Sequence, residues 1–98
     1  MSTTIRKSGL QREVLSLYRR ALRMVRTKPP STQPNFRLFV QYSFHAQSHI
    51  SPRNVSAIEH LLRKGKRQIE MYEGSGVKDC WVSEEMREWE KGRRRLRD

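Results

Sequence analysis

Residues 8–27 constrain this chain more than any other stretch. At about 100° per residue, Leu10, Val14, Leu17, Tyr18, Ala21, Met24 and Val25 fall on one arc, with Leu15 and Leu22 at its edge. Arg12, Arg19, Arg20, Arg23 and Arg26 fall on the opposite arc. A helix with so clean a separation must bury its apolar side against other elements, so the rest of the chain has to supply that cover. The segment ends at Thr27-Lys28-Pro29-Pro30-Ser31-Thr32-Gln33-Pro34, where two consecutive prolines cannot continue a helix.

Two further segments can provide the cover. Phe36, Val40 and Phe44 recur at i, i+4 and i+8, with Phe39 beside them and Leu38 and Tyr42 on another side. This predicts a helix over 35–47, apolar round much of its circumference, with Asn35 as N-cap. A strand would suit the aromatics, but alternation is poor and no partner strand exists. Ser51-Pro52 predicts a third helix start, running to Glu73 and stopping at Gly74-Ser75-Gly76. Val55, Ile58, Leu61, Leu62, Ile69 and Tyr72 make its apolar arc, and Arg53, Arg63, Lys64, Lys66 and Arg67 its other side. Gly65 falls within the apolar arc, at a helix-propensity cost of about 1 kcal/mol against alanine. Beyond the glycines, a short helix is possible from Ser83, with Glu84 and Glu85 in its first turn and Arg93 to Arg97 at its end. Gly92 weakens it.

The expectation is therefore an all-α chain: a small antiparallel three-helix bundle over 1–76 and a charged C-terminal tail over 77–98, helical or flexible. In a chain of 98 residues this is one domain with a small core. No apolar stretch approaches the length of a membrane span.

Charge narrows the class of partner. The chain carries 21 Lys+Arg against 10 Asp+Glu, a formal net charge of +11. Of this, +7 lies in residues 1–28 and +2 in 51–73. An arginine-rich, acid-poor, amphipathic N-terminus has the composition of a mitochondrial targeting segment, here built into a structural helix and so read as an uncleaved import signal. The same arc could be a solvated face, a phosphate-binding footprint, or a docking surface for an acidic protein. Against nucleic acid, the aromatics sit on core arcs and not among the arginines, so no stacking platform is evident.

Catalytic constellations are missing from the sequence. There is no phosphate-binding glycine loop and no paired-carboxylate or nucleophile–base arrangement. His45 and His49 are spaced for chelation, with His60 on the next helix, but no third ligand is indicated, so no metal is expected. Cys80, the single cysteine, reads as an ordinary thiol in a reducing compartment. The chain is expected to be a binder and not an enzyme.

Leu17-Tyr18-Arg19, in the first helix of a small basic helical chain with Phe44 downstream, resembles the LYR-motif family of mitochondrial proteins. The context widens the resemblance: Leu10-Gln11-Arg12, then Val14-Leu15-Ser16 before the motif, Lys28-Pro29 after it, and the run Ile58-Glu59-His60-Leu61-Leu62-Arg63-Lys64-Gly65-Lys66-Arg67-Gln68-Ile69. The last run is similar to the branch of that family that serves succinate dehydrogenase. The likeness covers roughly residues 8–76.

The resemblance implies a mitochondrial matrix assembly factor that binds the succinate dehydrogenase iron–sulfur subunit, promotes insertion of its clusters and protects it from oxidants. Leu17, Tyr18 and Arg19 would engage the iron–sulfur transfer cochaperone. Arg63, Lys64, Gly65, Lys66 and Arg67 would meet the subunit. Many family members also bind acyl carrier protein and house its acyl-phosphopantetheine chain. Here Phe44, Leu62 and Gly65 would line that space or the core, and Arg20 and Arg23 would dock the acidic partner. Leu17 and Tyr18 share the apolar arc, so the alternative is that these two are core and only Arg19 of the motif is offered to a partner. Other family roles remain open, in respiratory-complex or cysteine desulfurase assembly, as does a basic mitochondrial RNA-binding module.

Overall fold

A computed structural model describes residues 9–97, with side chains to Arg94. The expected helix start at Ser8 and the first part of the import segment lie outside the described residues. Four helices make up the fold: α1 (Gly9–Arg26), α2 (Gln33–Ala46), α3 (Val55–Tyr72) and α4 (Glu84–Arg97). No strand occurs among the described residues. The all-α expectation holds, but the region beyond 77 contains a full fourth helix that runs through Gly92.

α1 buries the arc its sequence separates. Ala21, Met24 and Val25 are buried, and they form one cluster with Phe36 and Val40 of α2 and Ile69 of α3. Phe36 is fully buried, which stabilises the fold by about 1.5–3 kcal/mol relative to exposure. The ring of Tyr72 meets both Phe36 and Phe39 edge-on, at centroid distances of 5.8 and 5.3 Å. α1 packs against both α2 and α3, whereas the backbones of α2 and α3 do not approach each other. The molecule is therefore pinched where Tyr72 joins α2 to α3.

Three helix ends differ from expectation, each for a local reason. α2 begins at Gln33, because the Thr32 carbonyl already accepts from the backbone N–H groups of Asn35 (3.0 Å) and Phe36 (3.2 Å), and Pro34 fits the first turn. Asn35 is then inside the helix, and its Nδ2 donates to Asp79 Oδ1 at 3.0 Å. α3 starts at Val55 and not at Ser51. The Ser51 carbonyl accepts from Asn54 N–H (2.9 Å) in a separate turn, and Asn54 Oδ1 becomes the cap, accepting from Ala57 N–H at 3.3 Å. At the other end of α3, Gly74 closes a turn onto the Met71 carbonyl (3.2 Å) without any left-handed glycine.

Lys28 holds the connector between α3 and α4. Only 5% exposed, its Nζ donates to the carbonyls of Gly74 (3.1 Å) and Val77 (2.7 Å) and lies 5.2 Å from the centre of the Phe36 ring. Thr32 Oγ1 adds a bond to the Lys78 carbonyl at 2.7 Å. The α1–α2 corner thus fixes residues 74–79 in place. Replacing Lys28→Met keeps the apolar stem but takes the charged donor from the Val77 carbonyl and leaves the Gly74 carbonyl only its bond from Val77 N–H at 3.0 Å. We expect a loss of about 2–3 kcal/mol in urea unfolding, against no measurable change for the exposed Lys78→Met. A Lys28→Met protein as stable as wild type would show that water replaces the ammonium at no cost.

Candidate functional site

The pinch at Tyr72 leaves the other end of the molecule open. There a cavity of about 1000 Å³ lies between the helices. Val14, Leu15, Leu17 and Tyr18 of α1 line it, with Phe39, Val40 and Phe44 of α2 and Ile58, Leu61, Leu62 and Ile69 of α3. Met86, Trp89 and Arg93 of α4 complete the wall. The lining is mainly hydrocarbon, so the cavity suits an apolar occupant.

The Leu17-Tyr18-Arg19 motif divides as its arcs require. Leu17 turns to α3, where its Cδ2 would stand 3.3 Å from a Cβ placed on Gly65. Tyr18 meets Phe44 edge-on at 4.9 Å. Arg19 is exposed. The motif thus builds the cavity wall with two residues and presents one cation outside. Gly65 lets Leu17 come close and also lines the cavity. Leu62 and Phe44 line the same space.

Arg63, Lys64, Lys66 and Arg67 are all exposed on α3, and Lys64 also borders the cavity. Arg23 is exposed on α1. Arg20 is differently placed. Its Nε and Nη2 donate to Glu73 Oε2 (2.8 Å) and Oε1 (2.7 Å), a bidentate pair that ties α1 to the end of α3. The hydrogen bonds from Arg20 hold the Glu73 carboxyl below its ordinary value, and the guanidinium is held above its own.

Burial, helped by Asp79, pushes the Cys80 thiol up to about 11. It is protonated at neutral pH and so a poor nucleophile or metal ligand. His49 and His60 are exposed, and His45 lies against Trp89 with ring centres 4.9 Å apart. Among the described residues no three His, Cys, Asp or Glu side chains gather as a metal site. No described helix is long and apolar enough to cross a membrane.

Comparison with known proteins fits this geometry. Residues 12–71 match the family described as Complex 1 protein (LYR family). The chain belongs to the LYR family. Among its LYR relatives, succinate dehydrogenase assembly factor 1, mitochondrial, of Schizosaccharomyces pombe is 43% identical over 76 residues, 78% of this chain and 96% of the relative. The Saccharomyces cerevisiae protein of the same name is 42% identical over 64 residues, 65% of this chain and 81% of its own length. The Bos taurus protein of that name is 41% identical over 66 residues, 67% of this chain and 52% of its own length. No solved structure matches the chain significantly.

Sequence reasoning missed the contribution of α4 to the LYR cavity. Met86, Trp89 and Arg93 at i, i+3 and i+7 share one helix face, which is the signal that could have found it.

Two outcomes follow from this geometry. Gly92 has open space around it, so Gly92→Ala should stabilise the protein by about 0.5–1 kcal/mol. Gly65→Ala must displace the Leu17 methyl and should gain less than Gly92→Ala in the same thermal or urea assay, an ordering that equal gains would refute. The second outcome concerns acid. Because the folded Glu73 carboxyl titrates below its unfolded value of about 4.3, its pairing contributes fully above that value and is lost as pH falls through the folded value. The stability gap between wild type and Glu73→Gln should be constant near neutrality and shrink below about pH 5. A gap unchanged down to pH 2–3 would show that the charge of Glu73 contributes nothing.

Proposed function

We propose that the chain acts in mitochondria as an assembly factor for succinate dehydrogenase (complex II). In this reading it binds the enzyme's iron–sulfur subunit during maturation in the matrix, promotes insertion of its clusters and protects it from oxidants. The observation that carries the proposal is the cluster of four exposed cations, Arg63, Lys64, Lys66 and Arg67, on α3 within the family-matched residues 12–71. Two arguments support it. The relatives named above are assembly factors of that enzyme, at up to 43% identity. And a dense basic face on a rigid helix selects an acidic partner through charge complementarity, which speeds encounter and fixes orientation.

Arg19, exposed beside the cavity wall, is assigned to the iron–sulfur transfer cochaperone. The cavity supports a second, compatible role. Its volume and hydrocarbon lining suit the acyl-phosphopantetheine chain of acyl carrier protein, with Arg23 on α1 facing that acidic carrier. Arg20 would contribute there only by leaving Glu73. The protein itself would hold no cluster.

Reversing Arg63→Glu together with Lys66→Glu tests the main reading. Recovery of the iron–sulfur subunit with the tagged protein should fall about tenfold or more, while helicity and melting stay unchanged, since both side chains are exposed. Unchanged recovery would remove the basic-face assignment. Recovery of RNA in place of the subunit would favour the RNA-binding reading.

A further inference from the structure

α4 is held differently at its two ends. Its backbone approaches α2 and neither α1 nor α3, although it walls a cavity that all three share. At the base, the preceding connector is fixed by Lys28, Thr32 and Asn35, and Ser83 Oγ accepts from Met86 N–H at 3.1 Å. Towards the far end the hold is one aromatic cluster. Trp89 meets Tyr42 edge-on at 5.6 Å and lies 4.9 Å from His45. Arg93 lies 4.7 Å over the Trp89 ring of its own helix, which aims the guanidinium at α2, and its Nη1 donates to Gln41 Oε1 there at 3.1 Å.

An element anchored at its base and latched by a few individually weak contacts is poised to open locally while the rest stays folded. We propose that α4 is a gate across the cavity. It pivots at residues 82–83, is latched by Trp89 on Tyr42 and His45 and by Arg93 on Gln41, and swings from α2 to admit an apolar chain before closing over it. The gate rests on the reading of the cavity as a site for an apolar chain. It is an addition to the family-matched part, since α4 lies wholly beyond residue 71. The latch contacts are side chain to side chain, so opening breaks no helix backbone bond.

Trp81 is 76% exposed, and its replacement in Trp81→Phe leaves Trp89 as the sole tryptophan and a reporter inside the cavity wall. The probe is a dansyl-labelled undecanoic acid below its micelle concentration, whose dansyl group accepts energy from Trp89. In stopped-flow mixing with the full chain, a gate makes the uptake rate level off at high probe, the plateau being the opening rate. Arg93→Gln in the same background, which removes the charged hydrogen bond to Gln41, should raise that plateau about tenfold. A rate that rises linearly with probe in Trp81→Phe, or the same plateau with Arg93→Gln, would overturn the gate while leaving the apolar site standing. The plateau before any latch change tests the gate even were Arg93→Gln to lose helicity by circular dichroism. No energy transfer with either protein would overturn the gate and the apolar-chain reading together.

Discussion

The fold depends on one buried ammonium group. Lys28 lies just past the end of α1, where the Val25 carbonyl accepts from its backbone N–H, and its side chain crosses to the Gly74 and Val77 carbonyls. Without it, the Val77 carbonyl would lose its charged donor and the Gly74 carbonyl would keep only its bond from Val77 N–H, a costly change in a core this small. With it, the α1–α2 corner and the α3–α4 connector become one unit. That unit sets where α3 ends, where α4 begins and how Phe36 is roofed. The cavity follows, since its walls are what these placements leave apart.

The periodicity in the sequence was enough to read α1, because a long helix with opposed apolar and basic arcs has one way to bury itself. It also gave the presence of α2 and α3. Their starts were less legible. At Ser51 and Asn35, good capping residues compete with an equally good one at Asn54 and with backbone bonds to the Thr32 carbonyl, and the choice is made by neighbouring turns. The role of α4 was hidden for a different reason. Its mean composition is highly charged, and only the docking of Trp89 against Tyr42 and His45 reveals an inward face. Lys28 left no signal at all, since a lysine beside two prolines reads as loop surface.

The candidate site was more legible than the fold's details. Leu17, Tyr18, Phe44, Leu62 and Gly65 do surround one space, because residues on the inner arcs of helices that meet at an angle must face the same gap. Arg20 could not be placed from its arc. On the sequence it belongs with Arg12, Arg19 and Arg23, and its pairing with Glu73 depends on where the end of α3 falls.

The net charge of +11 then resolves into two populations with different consequences. Three cations act inside the architecture, each joining a different pair of elements: Lys28 the corner to the connector, Arg20 α1 to the end of α3, and Arg93 α4 to α2. These are satisfied by carbonyls, a carboxylate, an amide and a ring, and salt screens short, partly buried contacts weakly. Among the described residues the exposed set on α3 forms no ion pair: Arg63, Lys64, Lys66 and Arg67 lie within five residues and repel one another. An acidic surface that meets them relieves that repulsion as well as supplying attraction. Binding through this face is therefore the more salt-sensitive property of the molecule, and folding the less sensitive one.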